Sequence, residues 1–159
     1  MHDWSKFHPT EFWESVKYYQ GDKSPIPACK KENGISYAWQ HHKGHNPHHY
    51  EYWIDNFDGD KWGKTCPTYH KIPYEYVMEM LADWFAAGRT YMGKDFHVDD
   101  EVTWWLWKRE TIAMHPATIE FIDWFMKDVK MFCSDLKWVS NKDNQRALRN
   151  KLNILYENY

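Results

Sequence analysis

Along the chain, apolar residues recur at spacings of three and four rather than two, in segments punctuated by Pro and Gly, and this predicts helices. Pro9 stands at a first helical position, Phe12, Val16 and Tyr19 follow at helical spacing and Gly21 closes the segment, so residues 9–20 read as a first helix with an apolar stripe. From Gly21 to Asn33 the run GDKSPIPACKKEN holds two prolines among polar residues and reads as a surface connection that could move over a site. Residues 35–44 are a short helix candidate, and Asn46-Pro47 reads as the start of another helix, striped by Tyr50, Trp53, Ile54 and Phe57. The stretch 58–72 breaks regular structure. Pro73 then opens the best core helix, with Val77, Met80, Leu81, Trp84 and Phe85 on a broad apolar face. Pro116 begins a helix carrying Ile119, Ile122, Phe125, Met126, Val129, Phe132 and Leu136. Ser140 or Asn141 caps a final helix with Leu148, Leu152 and Leu155 inward and Arg146, Arg149 and Lys151 toward solvent. No repeat is visible, and the expected class is all-α.

Composition narrows the function classes. The 159 residues suit one domain over 1–159, and 30 Trp, Tyr and Phe residues carry too much ring surface for a disordered chain. Twenty Lys and Arg against 23 Asp and Glu leave a net −3, which gives no global field for polymeric nucleic acid. A mean hydropathy of −0.87, with no apolar run near the ~20 residues a bilayer requires, argues against a membrane span. The start Met1-His2-Asp3-Trp4 lacks the features of a secretory signal, so the cytoplasm is expected. Cys29, Cys66 and Cys133 are odd in number and far apart, and read as reduced thiols.

The chemistry concentrates in the histidines. Seven of ten fall within the first 49 residues, five of them in HHKGHNPHH at 41–49. Imidazole ligates Zn, Fe, Mn or Ni, and a neighbouring carboxylate supplies oxygen or orients the ring; Asp3, Glu51, Glu79 and Asp83 are available. The bland alternative is a surface loop of titrating imidazoles. Glu79 and Asp83 share a helical face, where Asp83 could instead pair with Arg89 or Lys71 at the rim of the core. His70, His97 and His115 read as structural, His115 as a helix-start residue. Trp39, Tyr52, Trp53, Tyr74 and Tyr76 could stack a nucleobase or be core. The run Trp104-Trp105-Leu106-Trp107 with Lys108 and Arg109 reads as packing against the last two helices, or as a lid or partner surface. Neither a GxSxG elbow nor a glycine-rich phosphate loop is present.

The order of HDWSK at 2–6, the histidine group and LADWFAA around Asp83 resembles the HD superfamily of metal-dependent phosphohydrolases. HDWSK looks like the HDxxK signature of the branch that hydrolyses cyclic dinucleotides, NPHHYEYW is similar to its HHE segment, and LADWFAA to its later AD motif. The interval from His41-His42 to His48-His49 is much shorter than in those enzymes. HDWSKF, AWQHHKGHNPHHYEYW and PYEYVMEMLADWFAAG together also look like an uncharacterised family of bacteria and their phages, over roughly residues 1 to 95. HD proteins usually carry a metal histidine on a helix upstream of the His-Asp pair. The resemblance therefore implies an HD-like helical bundle that either lacks this first helix and its ligand or begins here at an internal methionine.

That resemblance implies His2, Asp3 and Asp83 as metal ligands, with one or more of His42, His48 and His49 completing the shell around a divalent Mn, Fe, Zn, Ni or Mg ion. Lys6 would contact phosphate, one helical turn from Asp3. Glu51 and Glu79 would orient an imidazole or take a proton from water. The expected activity is hydrolysis of a nucleotide-type phosphoester, on a small-molecule phosphate ester or nucleotide. The rivals are an HD-fold di-iron oxygenase, since the same ligands serve iron and dioxygen, and a non-catalytic phage-type binding protein.

Overall fold

The computed structural model describes residues 3–21, 23–57, 66–133 and 141–159, with residues 56, 57, 66 and 130–133 as backbone alone. The architecture is mostly helical, as the spacing predicts, with seven α-helices and one short hairpin among the described residues.

The second half holds the apolar core. Helices α4 (Tyr74–Met92), α5 (Val98–Lys108), α6 (Pro116–Cys133) and α7 (Lys142–Glu157) turn inward Val77, Met80 and Leu81, then Trp105, then Phe121, Ile122 and Met126, then Leu152 and Tyr156. Burying each such side chain contributes roughly 1.5–3 kcal/mol. The Trp105 ring lies 5.7 Å from that of Trp84, and its Nε1 donates to Asp123 at 2.8 Å; the rest of that tryptophan run, Trp104, Leu106 and Trp107, stays exposed. The Tyr156 hydroxyl donates to the Ile72 carbonyl at 2.5 Å, and Lys71 donates to the Tyr156 carbonyl at 3.0 Å, so α7 is tied to the segment that leads into α4. Asn141 caps α7 and His115 stands at the start of α6, as expected, while His97, read only as structural, stands at the start of α5, a helix the spacing did not predict. Phe132 and Leu136 fall where side chains are not described.

The first half is built differently. A 3-10 turn (Trp4–Phe7) leads to α1 (Pro9–Lys17), α2 (Pro25–Asn33) and α3 (Tyr37–His45), followed by a second 3-10 turn (Tyr50–Trp53). The stripe expected to be inside, Phe12, Val16 and Tyr19, is exposed at 44%, 53% and 74%. Glu11 is buried instead, at 3%, and Glu14, Ser15 and Tyr18 on the same face are half-buried. This helix is inverted because α3 receives it through polar groups: Glu14 bonds the Ser36 hydroxyl and accepts from the Tyr37 amide at 3.0 Å, holding the start of α3.

Two other expectations are corrected. The run 21–33 is a helix from Pro25, with Ser24 as N-cap and Gly34 closing it at φ 76°, a left-handed backbone that favours glycine. Prolines within the first turn belong to a helix start, because the amides they lack have no intrahelical partner there. Beyond Asn46 there is no long helix: the second 3-10 turn runs into strand β1 (Ile54–Phe57), paired antiparallel with β2 (Cys66–Tyr69), Ile54 facing Tyr69. The β-branched and aromatic residues of 53–57 suit a strand as well as a helical stripe. Part of the expected break at 58–72, residues 58–65, lies outside the described residues.

Candidate metal centre

Four side chains from two chain segments meet between the first turn and the end of α3. Asp3, His42 and His48 are buried and His49 is half-buried, and one ligand atom from each lies within 4.8 Å of the others. Asp3 Oδ1 stands 3.6 Å from His42 Nε2 and 3.4 Å from His48 Nε2. Donors at about 2.0–2.2 Å from one ion, placed tetrahedrally, stand about 3.3–3.6 Å apart, so the spacing fits a single cation. The His42 and His48 rings both flank that of His49, with centroids 4.7 and 4.4 Å away.

The backbone positions these groups. Asp3 has φ 57°, the one positive φ outside glycine among the described residues, in a left-handed conformation that Asp tolerates better than most. Asn46, expected as a helix N-cap, ends α3 instead; its side-chain amide donates to the His42 carbonyl and to Ser5 Oγ, both at 2.7 Å, which ties the first turn to α3.

Each imidazole meets carboxylates in a way that sets its chemistry. Glu11 Oε2 lies 2.8 Å from His42 Nδ1, and Oε1 lies 2.6 Å from His41 Nδ1. An ionised carboxylate only accepts, so both Nδ1 atoms carry hydrogen, and this selects the tautomer of the ligating, neutral imidazole in which His42 Nε2 turns its lone pair toward Asp3. Glu79 Oε1 stands 3.7 Å from His48 Nδ1, on the side of that ring away from Asp3. Burial, followed by the neighbouring His48 and His42, pulls His49 down to about 3, so its ring is neutral, the ligating form, near neutral pH. Its Nε2 is buried and meets no hydrogen-bond partner among the described residues, as does Glu51 Oε2. A buried imidazole nitrogen without a hydrogen-bond partner, beside a carboxylate and two further imidazoles, is a donor set that fits a cation.

Of the residues singled out by sequence, Asp3, His42, His48 and His49 come together. Lys6 pairs with Asp3 Oδ2 at 2.5 Å and stays 61% exposed. Asp83 lies outside the four-donor group and lines the cleft that opens from it; Lys71, offered as its partner, is held at Tyr156. His2 lies outside the described residues. Glu11 is the residue that sequence reasoning missed, together with Ser5. Among the described residues the other histidines do not join: His8, His41 and His45 form a separate stack, His41 lying 4.2 Å from His8 and 3.9 Å from His45.

A cleft of ≈ 740 Å³ begins at His42 and His49 and runs outward between α1, the start of α2 and the second half of α4. No helix among the described residues is long and apolar enough to cross a membrane. The profile of the Family of unknown function (DUF5662) matches residues 1–128. No curated protein and no solved structure matches the chain.

Proposed function

For this chain, which belongs to the Family of unknown function (DUF5662), we propose the metal-dependent hydrolysis of a nucleotide-type phosphoester. The observation that carries this reading is the convergence of Asp3, His42, His48 and His49 on one point at the inner end of a cleft. The donor set, three imidazoles and one carboxylate, suits Zn, Mn, Fe or Ni. The likeness of HDWSK and LADWFAA to the HD hydrolases supports the same chemistry. In that likeness His2, outside the described residues, and Asp3 form the His-Asp pair, and Asp83, which stands outside the four-donor group, lines the cleft.

When bound, a divalent metal would polarise a phosphoryl oxygen and acidify a water. The chain's own part is to hold that charge and shape its surroundings. Asp3 and the three imidazoles would ligate, while Glu11 fixes the ring orientation of His42 and Glu79 places a negative charge 3.7 Å from His48 Nδ1. Lys6, paired with Asp3 at the cleft, places an ammonium where phosphoryl oxygens would arrive. Glu51, expected to orient an imidazole or take a proton, has a buried carboxylate oxygen but belongs neither to the four donors nor to the lining of the cleft.

Elemental analysis of protein purified without chelator tests the reading. It should find stoichiometric transition metal, lost in His49→Ala and retained in Asp83→Asn, and the loaded protein should release phosphate or nucleoside from a panel of nucleotides. Protein that neither carries metal nor takes it up on titration overturns the proposal. Redox-active iron with a visible absorption band, and no hydrolysis, would favour the oxygenase.

A further inference from the structure

The cleft has an uneven lining. Its inner end is the polar corner of His42, His49, Glu11 and Lys6, and its outer walls are largely apolar: Phe12 and Val16 of α1, with Tyr19 just beyond it, on one side and Ala86, Ala87 and Tyr91 of α4 on the other, interrupted by Ser15, Asp83 and Thr90. Phe12, Val16, Tyr19 and Tyr91 are between 44% and 74% exposed, so the apolar face of the inverted α1 is turned into an open groove continuous with the donor cluster. Among the lining residues Lys6 is the cation, against the carboxylates of Glu11 and Asp83. Such a groove is poor ground for a chain of phosphates, whose added negative charges would meet carboxylates and apolar carbon. It suits an uncharged body that removes apolar surface from water.

We infer that the cleft selects a phosphate monoester with an uncharged aromatic or apolar organic part: the single phosphoryl group lies at Lys6 and the donor cluster, and the organic part lies between Phe12, Val16 and Tyr19 and the Ala86–Tyr91 face of α4. This rests on the hydrolase reading for the phosphoryl end. The occupant is a small molecule of that class, because the groove ends at the donors, where its one charged group would be held.

Binding of phosphonates, which carry the same dianionic head but cannot be hydrolysed, tests the inference apart from turnover. By calorimetry on the metal-loaded full chain, naphthylmethylphosphonate should bind at least tenfold more tightly than methylphosphonate. The same ring bearing a second, distal phosphonate should bind at least tenfold more weakly than the single-headed compound. Phe12→Ser and Val16→Ser, both at exposed positions, should each reduce naphthylmethylphosphonate affinity about fivefold or more while metal content and melting temperature stay at wild-type values. Equal affinity for the naphthyl and methyl compounds, preference for the doubly charged one, or indifference to both substitutions would overturn the inference. If the phosphonates behave as expected but no phosphate ester is turned over, the hydrolase reading fails and the groove's selectivity stands.

Discussion

Glu11 shows how one side chain can govern a centre without entering it. Both of its oxygens take imidazole Nδ1–H groups, and the one on His42 fixes which nitrogen faces Asp3. Glu11→Gln can present an amide N–H to that Nδ1 and so favour the wrong tautomer. Removing such a partner typically weakens metal binding 10–100-fold. Competition against a chromophoric chelator should show that loss, with the smaller effect for Glu79→Gln, whose contact with His48 is longer at 3.7 Å. The histidines are legible because they cluster in HHKGHNPHH, and Asp3 through the likeness of HDWSK to the HD signature. Glu11 was not, because a carboxylate beside a helix start is usually read as favourable to the dipole and left in solvent. Its signal lay in company: Glu11, Glu14, Ser15 and Tyr18 repeat at three and four, a polar stripe that only a polar neighbour would bury.

At the level of elements, α4, α6 and α7 were read correctly from apolar periodicity, because burying that periodicity is what forms them. The first half misled the same reading wherever polar contacts or turn chemistry decide. Ser24 before Pro25 and Gly34 at the far end delimit α2, and both marks were visible in a stretch discounted for its prolines. Helix packing also gives a local test. A Cβ on Gly88 of α4 would come within 2.7 Å of the Phe96 ring and 2.8 Å of Glu101 Oε2, whereas one on Gly44 of α3 meets nothing within 4 Å. Gly88→Ala should destabilise by about 1–3 kcal/mol despite the better helix former. Gly44→Ala should be neutral or stabilising by up to about 1 kcal/mol. Thermal melts of the two variants check the contrast, and equal shifts would remove the close packing of α4 on Glu101.

Across the whole molecule, stability should depend on both pH and metal. Burial, then the neighbouring Asp100, raises Glu101 from the ordinary 4.5 to about 7. Between those values the folded chain holds a proton that the unfolded chain has lost, so stability falls as pH rises through the window. The loss by pH 8 amounts to up to about 3 kcal/mol, and Glu101→Gln should flatten it in denaturant titrations at pH 5 and pH 8. A metal held by the cluster would act on the other half, where polar contacts and the donor group stand in for an apolar interior. Chelation should lower the melting temperature and speed amide exchange in α1 and α3 before α4 and α6, and uniform acceleration would mean that the halves open together. The two-oxygen grip of Glu11 on neighbouring rings of α3 also makes the start of α1 a ruler. One residue inserted between Pro9 and Glu11 would swing that carboxylate by about 100°. Relatives that keep the cluster should therefore vary freely in the residues of this turn's outer side and hold its length constant.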